Sequence, residues 1–237
     1  MAEREVAVVV GVGPGLGASL ARRFARAGMA VAVAARRRER VEPVAAELPG
    51  LGGAGRAYGC DAADERQVRA LFAAVCGDLG APDLVVFNAS GRVRKSILEI
   101  GAAEFEQAWR NACFGGFLVA REAALLMVPR GRGTILFTGA TASVKGFAGS
   151  AGFAVGKFGL RALAQSMARE LGPKGIHVAH VVIDGGIGPA RRQGEAEPGE
   201  DRLLDPDAIA ETYYHLHRQH RSAWAQEVDL RPWTESF

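Results

Sequence analysis

Cysteine is scarce and unpatterned in this chain, which holds only Cys60, Cys76 and Cys113. An odd count with no ligand-like spacing excludes a disulfide framework and a cysteine metal site. The three are expected to be reduced thiols serving as small core side chains, with no metal bound. A surplus of one charge is also missing: 29 Lys and Arg stand against 26 Asp and Glu, a formal net charge of +3. So small an excess argues against a nucleic-acid partner, which needs a basic patch. No apolar run reaches the roughly 20 residues of a membrane span, and no leader-like segment precedes the first apolar stretch. A cytoplasmic protein without a membrane partner is expected. Tyrosine is rare too, at Tyr58, Tyr213 and Tyr214 only.

What is present is a globular composition, 49% hydrophobic and 23% charged over 237 residues. That is enough chain for one α/β domain with a large core and short for two. Apolar runs at Val6–Val10, Ala30–Ala35, Arg56–Cys60, Leu84–Asn88, Thr134–Thr138 and Ile176–Ile183 are expected to be strands. Helical patterns lie between them at Ala18–Ala27, Arg38–Leu48, Glu65–Leu79, Ala103–Val128 and Ala151–Leu171. Continuous rather than alternating apolar strands imply a parallel sheet covered on both faces. Strand–helix alternation of this kind is the doubly wound, Rossmann-like α/β pattern, with about seven strands in one domain over residues 1–237.

The most informative stretch is Gly11-Val12-Gly13-Pro14-Gly15-Leu16-Gly17, between the first strand and the first helix. A tight glycine turn lets backbone approach a pyrophosphate, and free N–H groups at a helix N-terminus point at it. Gly11, Gly13, Gly15, Leu16 and Gly17 are therefore candidate dinucleotide-binding residues. Strand 2 is followed by Arg36-Arg37-Arg38, where NAD-binding folds carry an acidic residue for the ribose hydroxyls. A guanidinium fork there suits a 2′-phosphate, so Arg36, then Arg37, favours NADP(H) over NAD(H). The plainer reading is a solvated helix start, although arginines there would oppose the helix dipole. Strand 3 ends in Cys60-Asp61-Ala62, placing Asp61 and Ala62 at the sheet edge beside an adenine, with Asp64 as an N-cap. Strand 4 runs into Asn88-Ala89-Ser90-Gly91, small residues that leave room for a cofactor, and the Asn88 amide is suited to tying neighbouring strands together.

These residues resemble the short-chain dehydrogenase/reductase family over nearly the whole chain. Gly11, Gly15 and Gly17 match its nucleotide loop, Asp61 its adenine-binding aspartate, and Asn88-Ala89-Ser90-Gly91 its Asn-Ala-Gly motif with a serine substituted. Asn111 matches the asparagine that supports a catalytic water chain, and Lys157 matches the lysine of Tyr-x-x-x-Lys. The resemblance implies a nicotinamide cofactor, a small-molecule substrate such as a carbonyl compound, and a homodimer or homotetramer formed through the two long helices. Gly185 and Ile187 match a loop whose backbone meets the nicotinamide carboxamide, whereas Asp184 and Pro189 depart from it.

The departures fall on the chemistry. Phe153 stands where the family has its tyrosine, and Ala140, thirteen residues earlier, where it has its serine. Phenylalanine has no ionisable group, and loss of general acid–base help costs a factor of about 10² to 10⁴. Thr138, Thr141, Ser143 and Ser150 lie near the lost serine. Thr141 could replace its hydrogen bond but is a poor acid, and loop or cap roles are the plainer reading of all four. Only the fold could bring a distant tyrosine back. Asp184 is either a new polar group near the cofactor or, in preference, a cap of its loop, and His177 and His180, at odd spacing on one strand, cannot form a simple ligand pair. Residues 189–204 form a polar loop, a candidate substrate lid. A helix is expected over Asp207–His217, and a tail, residues 224–237, carries a strand at Trp224–Leu230 and two tryptophans that complete the core or meet a partner subunit. Two functions compete: an NADP(H) oxidoreductase with altered catalytic residues, and a dinucleotide-binding sensor or scaffold subunit without turnover. A third, a purely structural fold without cofactor, gives no reason for the glycine loop beside Arg36.

Overall fold

The computed structural model describes residues 4–189 and 202–234. Seven parallel strands form one sheet in the order β3-β2-β1-β4-β5-β6-β7. They are β1 (Val6–Val10), β2 (Ala30–Ala35), β3 (Ala54–Gly59), β4 (Leu84–Phe87), β5 (Gly133–Thr138), β6 (Ile176–Ile183) and β7 (Glu227–Leu230). The helices are α1 (Leu16–Arg26), α2 (Glu42–Glu47), α3 (Glu65–Asp78), α4 (Ala102–Trp109), α5 (Gly115–Met127), α6 (Ala151–Leu171) and α7 (Pro206–Arg218).

The continuous apolar strands are continuous because both faces are covered. On β1, Ala7 and Val9 face a core layer that includes Phe24 of α1, Val44 of α2 and Tyr213 of α7. Val6, Val8 and Val10 face the opposite layer, with Phe72 of α3, Leu118 of α5 and Leu160 of α6. Period-two alternation thus divides one valine-rich strand between two cores. Strand order reverses between β1 and β4, and the carboxyl ends of the strands there open a crevice, the usual place for a ligand in such sheets.

Several expected elements change at their edges. The helix expected over Arg38–Leu48 is a short 3₁₀ turn at Arg38–Arg40, then α2, with Pro43 in its first turn, then a second 3₁₀ turn at Leu48–Leu51. The α-helix begins at Glu42, so the dipole argument for Arg36 and Arg37 falls: neither lies at its start. The helix expected over Ala103–Val128 is interrupted by a π-turn at Arg110–Phe114, which contains Asn111. Residues 102–130 are, by length and composition, apolar enough to cross a membrane, unlike the expectation from run length. In the fold Leu118, Val119, Ala120, Ala123 and Met127 of this segment are buried in the core. Asp64 caps α3 as expected, its Oδ1 accepting from the N–H groups of Arg66 and Gln67 at 2.9 and 3.2 Å. The tail strand is shorter than expected, and it pairs parallel to β6. Trp224 stacks on His177 with ring centroids 5.0 Å apart, whereas Trp233 is exposed. Asp184 is an ion-pair partner rather than a cap: its Oδ2 lies 2.9 Å from Arg231, and its N–H donates to Leu230. It ties the end of β6 to the tail. Of the candidate lid, residues 190–201 lie outside the described residues; on either side of them Leu204 donates to Gly186 and Gly188 donates to Leu204.

Candidate active site

Two adjoining cavities line the carboxyl ends of the strands. The first, about 650 Å³, is walled by the Gly11–Pro14 turn, Arg36 and Arg37, Asp61 to Ala63, and Asn88 to Ser90, with Asn111. The second, about 530 Å³, is walled by Leu16, Thr138 to Ala142, Ser150, Phe153, Lys157 and the Gly185–Ile187 turn. Asn88 and Ser90 line both, so the two form one elongated cleft.

The glycine turn is held from below. Gly11 takes φ +92°, and a Cβ there would sit 2.3 Å from the backbone nitrogen of Ala89. The Asn88 amide donates to the Gly11 carbonyl at 2.9 Å, tying the ends of β1 and β4 together as its placement suggested. A Cβ on Gly13, by contrast, would meet nothing within 4 Å. The turn therefore packs tightly on the protein side and is open on the cleft side, a cradle suited to a diphosphate. Gly15 and Gly17 do not line the cleft. Gly17 instead lets α1 pass close to Val12, whose Cα would be 2.7 Å from an added Cβ.

At the far end of the first cavity, Arg36 and Arg37 are exposed and are joined by Arg40, which no motif marks. Arg38 is the one turned aside, 3.0 Å from Glu42. Asp61 is partly committed: its Oδ1 accepts from the N–H of Ala63 at 3.0 Å. Asn111 lines this cavity rather than the Lys157 one, and its Oδ1 accepts from Gln107 at 2.8 Å. Cys60 is buried in the core as expected, and burial pushes its thiol up to about 12. Cys76 and Cys113, by contrast, are only half-buried and lie outside the core, their thiols pushed up by partial burial.

In the second cavity, Lys157 is buried and its ammonium donates to the Thr138 carbonyl at 2.6 Å. Burial pushes its pKa down to about 8, since the charged form loses hydration. The Phe153 ring centroid is 6.0 Å from Lys157 Nζ, one helical turn away. Thr141 lines the cavity half-buried, whereas the Ser143 hydroxyl is turned inward to accept from the N–H of Ala140 at 3.1 Å. The fold does bring one tyrosine near. The Tyr213 hydroxyl donates to Thr138 Oγ1 at 2.9 Å, but its ring is wholly buried, does not line the cleft, and burial raises its pKa. Tyr58 bonds Asp78, and Tyr214 lies under the Arg23 guanidinium. Arg92, Arg94 and Phe147, which belong to no motif, also line the second cavity. The arginines' position just after Asn88-Ala89-Ser90-Gly91 was the available signal.

A doubly wound parallel sheet with a glycine cradle at its switch point and an arginine pair beyond β2 defines an NAD(P)-binding Rossmann protein. A sequence profile described as "short chain dehydrogenase" matches residues 5–200, and the chain belongs to that oxidoreductase family. It is 33% identical over 228 residues to a Melia azedarach protein described as "(21S)-21-acetoxyl-apo-melianone synthase SDR", covering 90% of this chain and 83% of that one. A crystal structure of a short-chain dehydrogenase from Rhodopseudomonas palustris superposes with a TM-score of 0.84 at 40% identity, covering 97% of this chain and 99% of that one. A metagenomic short-chain oxidoreductase in complex with NADP superposes with a TM-score of 0.84 at 28% identity, covering 96% and 97%.

Proposed function

We propose that this protein is an NADP(H)-dependent oxidoreductase acting on a small carbonyl or alcohol substrate without the tyrosine acid of its family. The observation that carries this reading is the single cleft joining the arginine pair to Lys157, of which Gly13 opens the middle. Arg36 and Arg37 would hold the 2′-phosphate, Asp61 and Ala62 the adenine, and the Gly11–Leu16 turn the diphosphate. Asn88, Ala89 and Ser90 would flank the middle of the cofactor, while Gly185 and Ile187 would offer backbone to the carboxamide. Lys157 would hold the nicotinamide ribose. When bound, the cofactor would exchange hydride with the substrate carbon, and in reduction the carbonyl oxygen must gain a proton from elsewhere. Thr141 would orient that oxygen. The proton would come from Lys157, whose pKa burial lowers to about 8, directly or through a water. Reduction should then fall as pH rises through about 8, because the protonated form is the donor.

A second reading, a dinucleotide-binding sensor or scaffold subunit, is favoured by Phe153 and Ala140 together. In either case a homodimer or homotetramer suits the exposed Phe117 and Leu125 of α5 and Val155 and Phe158 of α6. Calorimetric titration with NADPH and NADH separates the cofactor claim from the chemistry. NADPH should bind about 10- to 100-fold more tightly, the worth of one charge-assisted contact, and Arg36→Ala should remove that margin. Equal affinities would overturn the NADP(H) assignment. Bound NADPH whose absorbance never declines with any carbonyl compound would leave the sensor reading.

A further inference from the structure

Among the described residues the second cavity has no carboxylate in its wall: Arg92, Arg94 and Lys157 are its charged residues there, and all three are cationic. From this we propose that the substrate is an anion, a carbonyl compound bearing a carboxylate or phosphate on an apolar body, held by Arg92 and Arg94. The proposal rests on reading this cavity as the substrate end of the cleft.

The two arginines are placed, not merely nearby. They lie in an irregular stretch after β4, and both line the same cavity. That stretch is pinned at both ends. At Gly91 it passes so close to α4 that an added Cβ would lie 2.4 Å from the Ala108 carbonyl oxygen. At Lys95 the backbone N–H donates to the Gly149 carbonyl at 2.9 Å. The stretch carries three cations, and only the third is matched: Lys95 Nζ lies 2.6 and 2.8 Å from the two Glu104 oxygens. Arg92 and Arg94, exposed at the cavity mouth, make no hydrogen bond or ion pair among the described residues. Two unmatched guanidiniums beside a buried ammonium repel one another, and a bound anion relieves that repulsion while accepting forked hydrogen bonds. Phe147, Phe153, Ile183 and Ile187 supply the remaining apolar wall, suited to an aromatic or aliphatic body.

The test uses the full chain and three probes of similar shape: phenylacetate, phenyl phosphate and neutral phenylacetamide. Each is titrated into the protein with and without NADP, alongside Arg92→Gln and Arg94→Gln variants whose folding is checked by thermal melts. At least one anion should bind about 10-fold or more tightly than the amide. Each variant should lose about 10- to 100-fold in anion affinity while retaining NADPH affinity. Which anion binds better identifies carboxylate or phosphate as the recognised group. An amide that binds as well as both anions, or anion affinity unchanged in both variants, overturns the proposal. Anion binding by a protein that fails to hold NADPH would overturn the oxidoreductase reading and leave this site standing. NADPH binding without anion selectivity would do the reverse.

Discussion

The glycine-turn half of the cleft is walled mainly by residues that directly follow β1, β2, β3 and β4, whereas the Lys157 half draws on α6, the Arg92–Arg94 stretch and the loops after β5 and β6. In the first half, Gly11, Asn88 and Ala89 interlock across two adjacent strands, so the shape follows from the sheet itself. In the second, the end of β5, the first turns of α6, the Arg92–Arg94 stretch and the loop after β6 meet only through the tertiary fold. Binding therefore depends on steric requirements that few residues satisfy, while chemistry depends on functional groups that single substitutions remove. Phe153 and Ala140 change the second half without disturbing the first.

The largest expected effect comes from glycine positions within the first half. Gly11→Ala must place a Cβ 2.3 Å from the Ala89 nitrogen at a φ that L residues avoid. Overpacking and left-handed backbone together should cost about 2–5 kcal/mol, roughly 4–20 °C in melting temperature for a chain of this size. Gly13→Ala meets no protein atom within 4 Å. It should melt within about 2 °C of the parent, as changes away from packed features do, yet lose most NADPH affinity because the methyl occupies the diphosphate's place. A Gly13→Ala variant that binds NADPH normally would show that the cradle is not where the cofactor lies.

The next effect belongs to the other half. Phe153→Tyr places a hydroxyl on a ring whose centroid is 6.0 Å from the Lys157 ammonium, one turn along the same helix. A restored acid should raise carbonyl reduction by about 10²-fold or more, measured as the initial rate at saturating NADPH, with NADPH affinity unchanged. The rate should also extend to higher pH, since proton delivery would no longer depend on Lys157 alone. An unchanged rate with cofactor bound would mean that Ala140 or the anion requirement, not the missing ring hydroxyl, sets the barrier.

The same contrast explains what was legible in the sequence. Strands β1, β2 and β6 are legible to the residue, because burial on both faces leaves an apolar run, broken in β6 only by the buried His177 and His180. The glycine turn, Arg36, Asp61 and Asn88 were found because each follows a strand directly, so position along the chain specifies position at the sheet edge. Arg92 and Arg94 carry only one local signal, their position just after Asn88-Ala89-Ser90-Gly91, and nothing else nearby distinguishes an arginine facing a cavity from one facing water. Arg38 shows the limit from the other side: it is adjacent to Arg37, yet Glu42 draws it away. The Tyr213–Thr138 contact joins residues 75 apart and had no local signature at all.

That contact yields the smallest effect and the finest discrimination. Tyr213 is buried on the α7 side of β5, while the carbonyl of its partner Thr138 accepts from Lys157 on the α6 side. Thr138 thus links the buried tyrosine, through its side chain, to the lysine, through its carbonyl. Burial raises the Tyr213 pKa, which disfavours proton release to a carbonyl it does not touch. If its hydroxyl is only an anchor for α7, Tyr213→Phe should cost about 1 kcal/mol, roughly 2–4 °C in melting temperature, and leave the rate of reduction within about twofold at every pH. Loss of more than tenfold in rate, with a changed pH profile and intact NADPH binding, would instead make Thr138 a relay and Tyr213 a replacement for the tyrosine absent at position 153. Because the substitution removes one oxygen and keeps the ring that fills the core, a change in the pH profile would report proton traffic rather than packing.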